Sequence, residues 1–127
     1  MLLFKPVQRK NPQDKNAPMK FYPQHKKSGS VDFKNIAEEL SDASTINSVD
    51  VRAVLYGLEK TLIKYLQNGY IVRFGDLGTF RPSVGGSGED EPELLTAAHV
   101  NKVKILFAPS TELKRAVSLA PLKKVQE

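Results

Sequence analysis

The fold is decided by the stretch Gly69-Tyr70-Ile71-Val72-Arg73-Phe74-Gly75-Asp76-Leu77-Gly78-Thr79-Phe80. Its apolar residues recur with a period of two: Val72 and Phe74 point one way, Ile71 and Arg73 the other. Gly75-Asp76-Leu77-Gly78 interrupts the alternation with turn chemistry. Thr79 to Val84 resumes it, with Phe80 inward and Thr79 and Arg81 outward. Two strands joined by a tight reversal are predicted, apolar on one face and polar on the other.

Upstream, Asn68-Gly69 ends a helix with residues that tolerate left-handed backbone. That helix starts near Asn47, which with Asp50 three residues on resembles a capping box with a shortened acid. Val51, Val54, Leu55, Leu58, Leu62, Tyr65 and Leu66 form one wide apolar stripe along it. Val49, Tyr56 and Ile63 form a second line at heptad spacing, with the small residues Ala53 and Gly57 beside it. A helix with two apolar faces packs on two sides. The second partner is either another subunit, which makes Val49, Ala53, Tyr56, Gly57 and Ile63 a dimer interface, or residues 1–30. A shorter helix over 33–41, capped by Asp32, carries Phe33, Ile36, Ala37 and Leu40 at helical spacing. Ser41–Ile46 reads as its linker.

Downstream, Val103, Ile105 and Phe107 alternate with Lys102, Lys104 and Leu106 and predict a third strand. Between the second and third strands lie Gly85-Gly86-Ser87-Gly88 and the acidic run Glu89-Asp90-Glu91-Pro92-Glu93, which read as a flexible, exposed tip. Pro109-Ser110 opens a last helix carrying Leu113, Ala116 and Val117.

Composition narrows the function classes. The chain has 127 residues, 40% hydrophobic and 26% charged, enough apolar content for a folded domain. No apolar run is long enough to span a bilayer. The absence of cysteine excludes a disulfide framework, a thiolate metal site and a cysteine nucleophile, and it fits a cytoplasmic setting. The two histidines, His25 and His99, are expected in solvated segments. No nucleophile–base set, phosphate-binding glycine motif or ligand spacing is present, so no enzyme, cofactor or metal is expected. The charge is uneven. Residues 1–30 hold seven cations against Asp14 alone, a net +6, whereas residues 31–127 hold 12 cations and 13 anions. A local basic excess points to a polyanion partner or to a solubilising segment. Four of the eight prolines lie in residues 1–30, so no helix persists there. Two strand-like stretches near Phe4–Arg9 and Met19–Gln24 flank the turn Asn11-Pro12-Gln13-Asp14, a possible hairpin.

The order helix, helix, strand, strand, long loop, strand, helix resembles the bacterial histone-like HU/IHF family of DNA-binding proteins. The Gly69–Phe80 stretch is similar to that family's G-x-x-V-x-L-x-G-[FL]-G-T-F pattern with few departures. A second block, Phe107-x-Pro109-Ser110-x-x-Leu113-Lys114-x-Ala116-Val117, resembles its closing strand and helix. The resemblance covers about residues 31–118. It implies an α+β fold: two N-terminal helices, a three-stranded antiparallel sheet with an extended β-arm, a short C-terminal helix, and an intertwined homodimer. The expected organisation is a basic N-terminal extension at 1–30, an HU/IHF-like domain at 31–120 with its arm at about 83–102, and a tail at 121–127.

In the family, arginine-rich arms grip the minor groove and a proline at each tip wedges between base pairs. Here the corresponding stretch, Ser83 to Asn101, has no Lys or Arg and holds Glu89, Asp90, Glu91 and Glu93, which phosphates repel. Two other cation sets are the candidates for the DNA-binding role, against the alternative of ordinary solvated surface. Arg9-Lys10-Asn11-Pro12-Gln13 echoes the family's arm tip at the wrong end of the chain, with Arg9 and Lys10 on phosphates and Pro12 as wedge. By strand parity Arg73, Arg81, Lys102 and Lys104 share the face opposite Val72, Phe74, Phe80 and Ile105. Lys114 falls at a family lysine position beside the DNA. Tyr22, Tyr56, Tyr65 and Tyr70 are read as core or interface residues rather than a base-stacking stripe. The expectation is an architectural protein of the nucleoid that binds double-stranded DNA with little sequence specificity, as a homodimer, with no membrane or small-molecule partner. The alternative is a structural or protein-interaction module of the same fold.

Overall fold

The structure is a computed structural model describing residues 1–126. The chain divides into two compact units. One comprises Phe33–Arg115; the other joins Met1–Asp32 to the chain from Ala116 onward.

The larger unit begins with α1 (Phe33–Asp42) and α2 (Ser48–Gln67). Asn47 caps α2: its side-chain oxygen accepts from the Asp50 backbone N–H at 2.9 Å. The reciprocal half of the expected capping box is altered. The Asp50 carboxylate accepts from the Asn47 side-chain amide at 3.0 Å, not from the Asn47 backbone, because Asp is one methylene shorter than Glu. At the far end Asn68 donates to the Lys64 carbonyl at 2.8 Å, and Gly69 takes φ +80, which stops the helix. α1 packs on α2, with Phe33 edge-on to Tyr56 at 5.4 Å between ring centroids.

After α2 come β3 (Val72–Phe74), β4 (Gly78–Gly86) and β5 (Val100–Pro109), an antiparallel sheet in the order β3-β4-β5. Phe80 stands opposite Phe107, and the rings of Phe74, Phe80 and Phe107 form a run, with 6.1 Å between the first two and 4.7 Å between the last two. Gly78 is required there: φ is +154, and a Cβ would lie 2.4 Å from the Ala108 carbonyl oxygen. α3 (Thr111–Ser118) follows β5. Ser110 opens it: its hydroxyl accepts from the Leu113 N–H at 3.0 Å and donates to the Asp76 carbonyl. Asp76 therefore serves the turn through its backbone.

The smaller unit is a second sheet in the order β2-β1-β6, built from β1 (Leu2–Arg9), β2 (Lys20–Lys26) and β6 (Leu122–Lys124). β1 and β2 form an antiparallel hairpin. Its connection is knit by Asx turns: Asn11 Oδ1 accepts from the Gln13 N–H at 2.9 Å, and Asp14 Oδ1 from the Asn16 N–H at 3.0 Å. The sequence reading has a tail at 121–127; the structure has Leu122–Lys124 paired parallel to β1. Leu2 donates to the Pro121 carbonyl at 2.7 Å and the Phe4 carbonyl accepts from Val125 at 2.9 Å. The next residue in that alternation is Pro6, which has no N–H, so the pairing stops there.

The cap on α2 makes one quantitative demand. Asn47→Ala should lower the unfolding free energy by about 1 kcal/mol, and Asn47→Ser should retain most of it. Urea denaturation followed by far-UV circular dichroism measures both.

Candidate nucleic-acid interface

The β4–β5 register sorts the sheet into two chemistries. Phe80, Pro82 and Val84 stand opposite Phe107, Ile105 and Val103, and Val72 stands opposite Phe80. These residues share one face with Phe74. Arg73 stands opposite Thr79, Arg81 opposite Leu106, Lys104 opposite Ser83 and Lys102 opposite Gly85. The four cations predicted by parity therefore occupy the other face together. Arg73, Arg81, Lys102 and Lys104 are all exposed. Along a strand, neighbours on one face are about 7 Å apart, so the cations form a track rather than a cluster.

The other predicted residues fall elsewhere. Arg9 ends β1, and Lys10 and Pro12 lie in the exposed connection to β2, all in the smaller unit. Lys114 lies exposed on α3. On α2, Val49, Ala53, Gly57 and Ile63 are exposed, Val49 by 74%. Nothing lies within 4 Å of where a Gly57 Cβ would stand. Tyr56, expected at a subunit interface, has an intrachain partner in Phe33 and still leaves nearly half its surface open.

The apolar faces are poorly covered by this chain. Among the described residues only Ala37 and Val51 are buried hydrophobics. An open groove of about 460 Å³ runs between the end of α2 and the apolar face of β4–β5, lined by Ile63, Leu66, Val84, Val103 and Ile105 among others. Val103 is 72% exposed.

The connection between β4 and β5 departs from the flexible tip expected from its glycines and acids. The ladder shifts at Gly85/Gly86, so that Gly86 pairs with Val100. Gly86 approaches the His99 backbone too closely for any side chain: a Cβ would lie 1.8 Å from its oxygen. Two 3₁₀ turns are formed here, Pro92–Leu94 at the end of the acidic run and Ala97–His99 beyond it. His99, expected in a solvated segment, instead clasps the tip. Its Nδ1 accepts from the Thr96 backbone N–H at 3.0 Å, which places the ring proton on Nε2, 3.0 Å from Glu89 Oε1. Its backbone oxygen accepts from the Ser87 N–H at 3.1 Å. A sequence signal for this existed: Thr96-x-x-His99 has the spacing of a capping box, with imidazole in the place of the usual Glu or Gln.

Among the described residues, no group of three or more His, Cys, Asp or Glu side chains is arranged to hold a metal ion. Nor is any helix among them long and apolar enough to cross a membrane.

Comparison with known proteins places this geometry. A family model described as HU domain fused to wHTH, Ig, or Glycine-rich motif (HU-HIG) matches residues 1–124. One similar solved structure is a candidate bacterial DNA-binding protein from Bacteroides vulgatus ATCC 8482. Its TM-score is 0.68 at 14% identity, over 98% of this chain and 48% of that one. The chain thus spans about half of that protein's length. Another is Anabaena HU cocrystallised with DNA, with a TM-score of 0.50 at 14% identity, over 72% of this chain and all of that one. No curated protein sequence matches the chain.

The clasp can be tested in isolation. His99→Ala removes the acceptor of the Thr96 N–H, so exchange of that amide should quicken about fivefold, the equivalent of one ordinary hydrogen bond. Glu89→Gln, which still offers an oxygen to Nε2, should leave it near the parent rate. Hydrogen exchange read by NMR distinguishes the two.

Proposed function

The chain belongs to the HU-HIG family, and on that premise we propose that it is an architectural DNA-binding protein of the bacterial nucleoid. It acts as a homodimer on double-stranded DNA, through phosphate contacts and duplex shape rather than base readout. The observation that carries this reading is the single-sided placement of Arg73, Arg81, Lys102 and Lys104 on the β3-β4-β5 sheet. Four cations per chain, doubled in a dimer, make a phosphate track. Lys114 and the Arg9-Lys10 segment extend the set of cations available to the backbone, with Pro12 at the exposed turn beside them.

The dimer is supported by what a single chain leaves open. The second face of α2 and the groove beneath Val84, Val103 and Ile105 are apolar and exposed. Burying such surface between copies is the ordinary way in which an obligate dimer completes its core. In this reading the HU-like domain occupies residues 31–120, with β4 and β5 projecting as its arm over about 83–102. The acidic tip departs from a DNA-gripping arm: Glu89, Asp90, Glu91 and Glu93 repel phosphate, so the track ends before the tip. A second reading, a protein-interaction module of the same fold, is favoured by one observation: Leu94 and Leu95 stand exposed beside those carboxylates.

Binding to linear duplex should be sequence-tolerant and steeply salt-dependent. Arg81→Gln combined with Lys104→Gln should flatten the slope of log K against log salt by about 0.9 for each phosphate contact removed. A titration of duplex at several salt concentrations reads this; an unchanged slope assigns the sheet no phosphate contact. The dimer has its own measurement. Sedimentation of the full chain at micromolar concentration should give a dimer, and Gly57→Leu, which fills the open stripe on α2, should weaken it.

A further inference from the structure

The smaller unit carries the chain's whole charge excess. It holds nine Lys and Arg residues against Asp14, Asp32 and Glu127, a net +6, while Phe33–Arg115 is at −1. Strand parity puts Lys5, Arg9, Lys20, Lys26 and Lys123 on one face of its sheet, together with Leu3, Val7 and Tyr22. Arg9 and Lys20 stand directly opposite each other, a like-charge pair that costs stability unless an anion meets it. On the other face Phe4 stands opposite His25, Pro6 opposite Pro23, Gln8 opposite Phe21, and Lys124 beside Phe4.

That second face is open. Phe21 is 69% exposed, although burying a phenyl ring is among the larger hydrophobic gains available to a small sheet. Beside it is a shallow groove of about 300 Å³, lined by Phe4, Pro6, Phe21, Tyr22, Pro23 and Lys124. Its size is at the small end of ligand sites, and its walls are rings and a single cation. The free edge of β2 is blunted by Pro23, which cannot donate a ladder hydrogen bond, so a peptide strand is poorly served there.

We propose that this unit is a platform for unpaired single-stranded DNA, with a base stacked on Phe21 in the groove and a phosphate of the strand on Lys124 in its wall. A +6 unit selects a polyanion. A duplex presents phosphates and groove edges, and leaves an exposed aromatic ring without a partner. An unpaired nucleotide presents both a phosphate and a flat π-face, which is what aromatic rings beside cations recognise. The unit is a stacking site of the kind that the tyrosine pattern alone did not reveal, because its exposed ring is Phe21 and its neighbours are brought together by register.

The test uses the full chain and a fluorescently labelled fifteen-nucleotide oligothymidylate, with a blunt duplex titrated separately. The parent protein should bind the single strand. Phe21→Leu, which keeps apolar volume but removes the ring, should weaken that binding about tenfold and leave duplex affinity within about twofold. Phe21→Tyr should restore it. Arg81→Gln with Lys104→Gln should have the opposite pattern, weakening duplex and sparing single strand. No single-strand binding by the parent overturns the proposal, whatever the duplex titration gives. So does Phe21→Leu binding like the parent. Loss of single-strand binding in the Arg81/Lys104 variant with Phe21→Leu unaffected places the strand on the other sheet and overturns it too. Self-association that Phe21→Leu abolishes, without single-strand binding, makes the face a contact between copies, which also overturns it. Duplex binding in the parent tests the preceding reading independently.

Discussion

The register of β4 on β5 is the constraint from which the rest of the larger unit follows. Gly78 fixes one end of it, because only a residue without Cβ fits beneath the Ala108 carbonyl, and the tilted Phe80–Phe107 ring pair fixes it from the side-chain face. A slip of one residue on either strand would carry Arg81, Lys102 or Lys104 onto the apolar face and turn phenyl rings to water. Such a slip would break the Phe74–Phe80–Phe107 ring contacts and set charges among apolar side chains, so the positions of the cations are held by contacts on the opposite side of the sheet. The function proposed for the charged face and the contacts on the apolar face therefore rest on one register.

The apolar face raises the converse problem. In a domain of this size most large hydrophobic side chains should be covered, yet among the described residues the buried hydrophobics are one alanine and one valine. Part of this exposed surface forms one groove, lined by Ile63 and Leu66 near the end of α2 and by Val84, Val103 and Ile105 on β4 and β5, while Val49 and Tyr56 lie open elsewhere on the helix. A second copy offers the same surface in return, and a self-complementary contact is what two-fold symmetry provides. On the proposed dimer, Gly57 and Ala53 have a reason to be small, since close approach of two helices needs it.

Much of this was legible in the sequence because it was written in local periods. Asn47, Gly69 and the Val72/Phe74 alternation mark boundaries and faces with residues a few positions apart, and the cation parity needed only the strand period. What escaped reading depends on long-range pairing. β6 is three residues long, and its partner β1 lies more than a hundred positions away; nothing in Leu122-Lys123-Lys124 itself announces a strand. The clasp at His99 joins groups three, ten and twelve residues distant in a segment whose glycines suggest looseness. The groove beside Phe21 escaped reading for a related reason: Pro6, Phe4 and Lys124 come to it from neighbouring strands, and residues 1–30 alone show only scattered aromatics among lysines.

The acidic tip bears on how the two units divide labour. The clasp holds Glu89 against His99 and shapes the turns that carry Glu91, Glu93, Leu94 and Leu95, so the carboxylates are presented by an ordered element rather than trailing from a free loop. On the proposed function, an anionic tip at the end of a cationic sheet defines a boundary: phosphates would be attracted as far as Lys102 and repelled a few residues beyond it. A duplex on the proposed track is therefore met by a short, bounded patch and not gripped along the whole hairpin. The binding strength that a basic arm would supply has to come from elsewhere in the chain. The +6 unit built from β1, β2 and β6 is the only other concentration of positive charge in the sequence, and it carries that charge on a sheet with an aromatic face of its own. The loss of cations from the tip and their accumulation at the opposite end of the chain are, on this argument, two halves of one redistribution of DNA contact.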